Sequence, residues 1–228
     1  MCTVNIISID GPAGSGKSTV GELLAQSLGF LYFDSGVMYR AVTWAAFERG
    51  ITVDDQAAIT QLAEQIDIDV RPSESEDGRS SDVLVDGVDV TWEIRRPEVE
   101  AKVSIVAAYP GVRLGLSAQL RRVGLRGRVV MVGRDIGTVV LPEADLKIYL
   151  VASVEERARR RYAELHQRGV RASYASILES MRKRDRIDST RQVAPLRAAE
   201  DAVRIDSDGM TIEQVLERVK SLAQRQCD

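Results

Sequence analysis

One short motif near the N-terminus constrains the fold more than any other part of the sequence. Residues 11–18 read Gly-Pro-Ala-Gly-Ser-Gly-Lys-Ser and match the pattern G-x-x-x-x-G-K-[ST] at every defined position. An apolar run at 4–9 precedes the motif, and residues 17–28 follow it with apolar side chains at helical spacing and Gly29 as a stop. A chance glycine turn would not require a strand before it and a helix after it. The motif therefore predicts a P-loop, in which backbone N–H groups and the start of a helix surround phosphate groups.

Each position of this loop has a predicted role toward a nucleoside triphosphate. We expect Lys17 to place its charge on the β- and γ-phosphates as a catalytic residue, and the hydroxyl of Ser18 to bind Mg²⁺. The cofactor expected here is therefore Mg²⁺ with ATP. The predicted ATP contacts of the loop are Gly11, Pro12, Ala13, Gly14, Ser15, Gly16, Lys17, Ser18 and Thr19.

Beyond the loop, strand and helix patterns alternate along the chain. The pattern predicts further strands at 30–33, 129–132, 146–151 and 202–205, with helices between them. A final helix is predicted over 211–226, where Thr211 and Gln214 can form a capping box. Such alternation favours a parallel sheet covered on both faces, so the expected fold is a three-layer α/β P-loop fold.

Residues 51–100 interrupt this alternation. They contain 14 acidic and only 4 basic residues. A hairpin is predicted there, with strands at 83–85 and 88–90 joined by a turn at Asp86-Gly87. The segment therefore indicates a small α+β insert.

Arginines cluster in the segment 155–172. Taken alone, Arg157, Arg160 and Arg161 would be interpreted as a solvated helix face, because exposed charge runs usually are. Phosphoryl transfer, however, asks the protein mainly for positioning and for positive charge around the moving group. Beside a P-loop, the cluster is better interpreted as a helical lid, with Arg157 contacting ATP and Arg160 and Arg161 acting in catalysis.

Composition excludes several classes of protein. The net charge of −3 gives no support for binding to polymeric nucleic acid. No run reaches the roughly 18 apolar residues that a membrane-spanning helix needs. The only cysteines, Cys2 and Cys227, suggest neither a disulfide framework nor a zinc site, and no signal peptide is recognisable, so we expect a cytoplasmic protein. The guanine-reading pattern N-K-x-D and the Asp-Glu pair of ATP-hydrolysing motors are both absent from the sequence.

The motifs together resemble the bacterial cytidylate kinase family. They occur in that family's order and cover the chain from residue 4 to about residue 220: the P-loop, 34–40, 93–95, 133–140 and 184–196. Members of that family transfer the γ-phosphate of ATP to CMP or dCMP. The default expectation is a monomer, and the resemblance implies a kinase core at 1–50, 101–154 and 173–228. It also implies a nucleoside-monophosphate-binding insert at 51–100 and a lid at 155–172.

The resemblance also implies a set of CMP contacts. Ser104, Arg113 and Asp135 are expected around the cytosine, whose amino donor and ring acceptors suit a carboxylate and an arginine. Arg184 and Asp188 correspond to contacts with the sugar. Contacts at or near the phosphate are implied for Arg40, Arg134 and Arg191, with Arg134 also catalytic. The remaining CMP contacts are Ser35, Tyr39 and Arg95, the last of which belongs to the insert.

One position departs from the family pattern, and two alternatives stay open. Family members usually carry an acidic residue immediately before Gly-Arg-Asp, where this chain has Val132. The magnesium shell is therefore expected to differ here. The alternatives are another small-molecule kinase, of the uridylate or shikimate type, and a nucleotide-dependent switch that does not turn over a monophosphate.

Overall fold

The computed structural model describes residues 4–72, 75, 77, 79 and 81–225. The chain divides into two units. The first comprises the chain up to Asp34 and from Arg121 onward, and the second is Ser35–Leu120. The helices and strands, in chain order, are β1 (Ile6–Asp10), α1 (Lys17–Leu28), β2 (Leu31–Asp34), α2 (Gly36–Glu48), α3 (Gln56–Gln65), β3 (Ile68–Pro72), β4 (Ser81–Val85), β5 (Val88–Asp89), α4 (Pro97–Val106), α5 (Pro110–Gly124), β6 (Val129–Gly133), β7 (Leu146–Val151), α6 (Val154–Gln167), α7 (Tyr174–Thr190), β8 (Val203–Asp206) and α8 (Ile212–Arg225).

The first unit is built on a five-stranded sheet with the order β2-β6-β1-β7-β8. All of its strand pairs are parallel. Strands buried on both faces are nearly continuous apolar runs, which explains why the sequence patterns located them to within one or two residues. Helix α1 lies against β1, β2 and β6 and also contacts α8. The predicted three-layer α/β fold is confirmed.

The capping box at the last helix is also confirmed. The backbone N–H of Thr211 donates to the side-chain oxygen of Gln214 at 2.9 Å, and the backbone N–H of Gln214 donates to the Thr211 hydroxyl at 3.3 Å. Val215 and Val219 of this helix are buried in the core. Leu23 of α1 and Ile212 of α8 are exposed.

The second unit combines helices with a three-stranded antiparallel sheet of order β3-β4-β5. The hairpin between β4 and β5 turns at Asp86 and Gly87, whose φ angles are 50° and 81°. Two successive positive φ angles are what a tight hairpin turn requires, so the predicted turn is confirmed. The compact unit includes more of the sequence than the predicted insert at 51–100, because α2 packs on α3, α4 and β4. The functional division into core, insert and lid stays a prediction.

The segment assigned to a lid, 155–172, contains most of α6 and the turn that follows it. Helix α6 packs along α7. No helix in the described part of the chain is both long and apolar enough to cross a membrane. Cys2 and Cys227 lie outside the described residues.

Candidate functional site

The P-loop connects β1 to α1 and needs glycine at both of its ends. A Cβ on Gly11 would stand 2.1 Å from the carbonyl oxygen of Leu150, so a side chain there would collide with backbone. Gly16 caps α1 with a φ of 91°, a left-handed conformation that favours glycine. The two glycines let the chain turn tightly from the strand into the helix. Ser18 and Thr19 lie exposed in the first turn of α1.

Lys17 is buried at the start of α1. Its Nζ donates to the carbonyl oxygen of Pro12 at 2.8 Å. Burial lowers the pKa of Lys17 well below its usual range, and the nearby positive charge of Arg134 lowers it further. An anion bound beside Lys17 would counter both effects, which suits a lysine that meets phosphate groups.

Asp10, the last residue of β1, ties the P-loop strand to the next loop of the site. Its carboxylate accepts hydrogen bonds from the backbone N–H groups of Ile136 and Gly137, each at 2.8 Å. Burial raises the pKa of Asp10 to about 6, although these two hydrogen bonds act in the opposite direction. The bonds fix the π-helical turn Ile136–Val140, which directly follows Arg134 and Asp135. Asp10 is not among the predicted site residues, although a carboxylate that ends an apolar strand before a P-loop is a signal that the sequence contains.

Four of the predicted CMP contacts come together in the first unit. The Nε of Arg134 lies 2.9 Å from a carboxylate oxygen of Asp188, and Arg191 lies 3.4 Å from Asp135. A second nitrogen of Arg191 is 3.9 Å from Asp188. The charges therefore alternate from Asp135 through Arg191 and Asp188 to Arg134, and we call these four residues the charge ladder. Burial alone would raise the pKa of Asp188, but Arg134 and Arg184 hold that pKa below its ordinary value.

The segment after α7 holds the two inner members of the charge ladder, Arg191 and Asp188, in place. The Nε of Arg191 donates to the carbonyl oxygen of Ala194 at 2.6 Å, and Ala194 has a φ of 52°. The backbone N–H of Leu196 donates to the carbonyl oxygen of Asp188 at 2.8 Å. The chain thus folds back on the end of α7.

The three arginines assigned to the lid have three different environments. Arg157 is buried, and its guanidinium donates to the carbonyl oxygen of Ala13 in the P-loop. Arg160 is half-buried and donates to the carbonyl oxygen of Ser207 at 2.6 Å. Arg161 pairs with Glu164, one turn along the same helix, at 2.8 Å. The sequence pattern grouped these residues, whereas the structure separates them by their partners.

In the second unit, the residues predicted to contact CMP lie on α2, at its N-cap Ser35, on α4, on α5 and in the short 3₁₀ turn Glu93–Arg95. Arg113 is almost completely buried, donates to the carbonyl oxygen of Ala107 at 3.0 Å and lies 5.2 Å from the ring centre of Tyr39. Arg40 pairs with Glu100 at 3.3 Å. The side chains of Ser35 and Ser104 are buried, whereas Arg95 is exposed and lies 5.2 Å from the Trp92 ring.

Val132 occupies an apolar position near the end of β6. Its side chain is fully buried in the core formed with α1 and α8. A Cβ on Gly21 would stand only 2.6 Å from a methyl group of Val132. No cluster of three or more His, Cys, Asp or Glu side chains in the described ranges is arranged to hold a metal ion.

Comparisons with known proteins identify the family to which the sequence is similar. A sequence profile described as cytidylate kinase matches residues 7–225. A cytidylate kinase from Roseiflexus castenholzii is 52% identical over 229 residues, covering 100% of this chain and 97% of that protein. A cytidylate kinase from Chloroflexus aggregans is 53% identical over 205 residues, covering 90% of this chain and 87% of that protein.

Two further similarities concern a longer protein and a more distant fold. A bifunctional pantoate ligase/cytidylate kinase from Prochlorococcus marinus is 50% identical over 218 residues, which are 95% of this chain and 43% of that protein. The solved structure of a gluconokinase from Sinorhizobium meliloti superposes with a TM-score of 0.50 at 14% identity, covering 99% of this chain and 94% of that one. The gluconokinase shows a shared fold alone, whereas the family profile and the two full-length relatives match nearly the whole sequence. The chain belongs to the cytidylate kinase family.

Proposed function

We propose that this protein transfers the γ-phosphate of ATP to CMP and dCMP. The observation that carries the proposal is the presence, in one unit, of a P-loop with a buried lysine and of the charge ladder. The P-loop suits a nucleoside triphosphate, and the ladder offers arginines for a second phosphate and carboxylates for hydroxyl or amino groups. Family membership supports the choice of CMP and dCMP as the acceptors.

ATP would bind to residues 11–19 with Mg²⁺ beside its phosphates. The hydroxyl of Ser18 is the protein ligand that we propose for the ion, since it lies exposed in the first turn of α1 next to Lys17. Mg²⁺ prefers oxygen ligands and usually keeps several waters, so one hydroxyl together with phosphate oxygens suffices. The ion would neutralise charge on the phosphates and hold them for transfer.

We propose the following contacts with CMP. In the first unit, we assign Asp135 to the cytosine amino group, Arg184 and Asp188 to the sugar, and Arg134 and Arg191 to the region of the phosphate. In the second unit, we assign Ser104 and Arg113 to the cytosine. The other contacts that we assign there are Ser35, Tyr39, Arg40 and Arg95.

The reaction needs no covalent intermediate on the enzyme. A phosphate monoester is largely doubly ionised near neutral pH because its second pKa is about 6, so a CMP phosphate oxygen can attack directly. The new bond forms between that oxygen and the γ-phosphorus, and the bond to the bridging oxygen of ADP breaks. The protein contributes positive charge around the moving group, which we assign to Lys17, Arg134, Arg160 and Arg161.

A substrate panel tests the proposal. Release of ADP is measured by a coupled assay with CMP, dCMP, UMP, AMP and shikimate as acceptors. We expect turnover with CMP and dCMP to exceed turnover with every other acceptor. A preference for UMP or shikimate would make the protein another small-molecule kinase, and tight nucleotide binding without turnover on any acceptor would make it a switch. Light scattering at several protein concentrations tests the monomer that we also propose.

A further inference from the structure

Every donor nitrogen of Arg157 is bound to the protein itself. The side chain is 4% exposed. Its Nε donates to the carbonyl oxygen of Ala152 at 3.0 Å, and its Nη1 donates to the carbonyl oxygen of Ala13 at 3.0 Å. The carboxylate of Asp185 accepts from Nη1 at 3.1 Å and from Nη2 at 2.6 Å. The guanidinium is therefore held in one orientation by a bidentate ion pair and two carbonyl groups.

These contacts bear on the shape of the P-loop. A phosphate-binding loop must turn its N–H groups inward and its carbonyl groups away from the phosphates. The carbonyl of Ala13 is bound by Arg157, and that of Ser15 accepts from the hydroxyl of Ser207 at 3.5 Å. A Cβ on Gly14 would lie 3.5 Å from the Cβ of Arg157, so the aliphatic part of Arg157 also borders the loop.

The carboxylate partner of Arg157 comes from a different helix. Arg157 lies in the first turns of α6, whereas Asp185 belongs to α7. Asp185 is 28% exposed, so the guanidinium is the more deeply buried member of the pair. An arginine that contacted ATP would need much of its guanidinium free for the nucleotide, whereas these bonds use four of the five N–H donors of a side chain that is 4% exposed.

We propose that Arg157 is a positioning residue, which Asp185 holds in place and which fixes the backbone of the P-loop at Ala13 without contacting ATP. The inference revises the direct ATP contact that the sequence suggested for Arg157. It rests on the ATP binding in the proposed function and not on the identity of the acceptor. The pair also connects the ATP loop to α7, the helix that carries Arg184 and Asp188.

The variant Asp185→Asn separates positioning from direct contact. Binding of a non-hydrolysable Mg-ATP analogue and of CMP is measured by calorimetry, together with the melting temperature. If Arg157 positions the loop, Asp185→Asn weakens analogue binding about tenfold or more, because it removes a charged, bidentate hydrogen bond that orients the guanidinium. If Arg157 contacts ATP itself, freeing it from Asp185 leaves analogue binding unchanged or strengthens it, and the proposal is overturned.

A double-mutant cycle provides a second test of the proposal. Arg157→Lys keeps the positive charge but cannot bind Ala13, Ala152 and Asp185 at once. We expect Arg157→Lys to weaken analogue binding about as much as Asp185→Asn, and the double variant to be no weaker than either single variant. Losses that add in the double variant would overturn the proposal. Should Arg157→Lys fail to fold, Asp185→Asn alone still decides the question.

The same two helices supply a matched control. Arg182 of α7 pairs with Glu155 of α6 at 2.9 Å, and their side chains are 58% and 57% exposed. This pair also joins α6 to α7, but it is solvated, and the hydrogen bond runs between its own two side chains. We expect Arg182→Lys combined with Glu155→Gln to leave analogue binding unchanged, and a loss equal to that of Asp185→Asn would show that any α6–α7 contact matters equally. Because the readout is binding of the ATP analogue, failure to phosphorylate CMP would sink the proposed function without deciding this inference.

Discussion

The guanidinium of Arg134 donates a 2.9 Å hydrogen bond to the carboxylate of Asp188, which lies 54 residues later in the chain. The carboxylate next to Arg134 in sequence, Asp135, pairs with Arg191 instead. Asp188 also lies near Arg191, so one buried carboxylate separates two arginines. Without it, two positive charges would share a small and poorly solvated volume.

We therefore expect Asp188→Asn to destabilise the folded protein. Removing one partner of a buried ion pair costs about 3–5 kcal/mol, and the side chain of Arg134 is 18% exposed, so about 2–3 kcal/mol is expected. Unfolding in urea measures this loss. A control is Asp69→Asn, which removes the partner of Arg71 in a pair whose side chains are 57% and 54% exposed. Equal losses for the two variants would contradict the special position of Asp188, because a solvated pair contributes at most about 1 kcal/mol.

Asp10 gives a prediction about pH. Its pKa rises from 3.8 to about 6 on folding, so between these values the folded protein binds a proton that the unfolded chain has released. The stability associated with Asp10 is therefore greatest below pH 4 and is lost as the pH rises through about 6, by up to about 3 kcal/mol. Urea unfolding of the parent and of Asp10→Asn across this range isolates the effect, because other groups titrate in both proteins. Identical pH profiles for parent and variant would contradict the prediction.

Arg160 and Arg161 are expected to act on charge in the transition state rather than on ATP affinity. Both side chains are at least 29% exposed, and each has a glutamate partner on α6 that a triphosphate could replace. Removing both should lower kcat far more than it raises the KM for ATP. Steady-state kinetics checks this, and the reverse pattern would mean that the two residues only hold the substrate.

Much of the fold could be predicted from the sequence because its elements have simple causes. Helix α1 begins at Lys17 and ends at Leu28 as predicted, because Gly16 and Gly29 both adopt left-handed conformations at its ends. Strand β7 has the predicted bounds because a buried parallel strand is a continuous apolar run. The sequence bounds of the second unit could not be predicted, since they depend on contacts between helices that are distant in sequence.

The partners within the site could not be predicted, for a related reason. Sequence order suggests that Asp135 pairs with Arg134, but the direction of each side chain depends on the turn that Asp10 holds. The spacing of arginines on α6 likewise cannot tell that Arg157 is buried against the P-loop while Arg161 remains partly solvated. Residue types at strand ends identified the site, whereas the pairing of charges required the structure.

Val132 tests the one departure from the family pattern. A glutamate there would bring a charge into the apolar core, where Gly21 leaves no room for it. We expect Val132→Glu to lower the free energy of unfolding by about 3 kcal/mol or more, since a buried, unpaired charge is among the costliest changes. Val132→Gln, of equal size and without charge, is the control. If Mg-ATP restored the stability of the Glu variant but not that of the Gln variant, the position would be coupled to the metal, contrary to this expectation.

Asp135→Ala tests how the base is chosen. If Asp135 accepts a hydrogen bond from the cytosine amino group, the variant leaves that donor without a partner in a desolvated site. An unpaired buried donor costs about 1–3 kcal/mol, so kcat/KM for CMP should fall roughly ten- to a hundredfold. UMP should lose less, because its O4 is an acceptor and gains nothing from a carboxylate. The ratio of kcat/KM for CMP to that for UMP should therefore narrow, and this ratio is the measure of discrimination.

The 3.4 Å contact between Asp135 and Arg191 defines the rival explanation. If Asp135 only orients Arg191 toward a phosphate, both substrates lose activity by the same factor, because the phosphate is common to both. Arg191→Lys is the matched variant for that case, since it keeps the charge but loses the fixed orientation and should lower both substrates equally. Asp135→Asn adds a prediction about the direction of the change. Its side-chain amide can donate a hydrogen bond to the uracil O4, so this variant should shift the substrate preference toward UMP. An unchanged ratio in both Asp135 variants would rule out base reading by Asp135, whereas a ratio that narrows in Asp135→Ala and narrows further in Asp135→Asn would establish it.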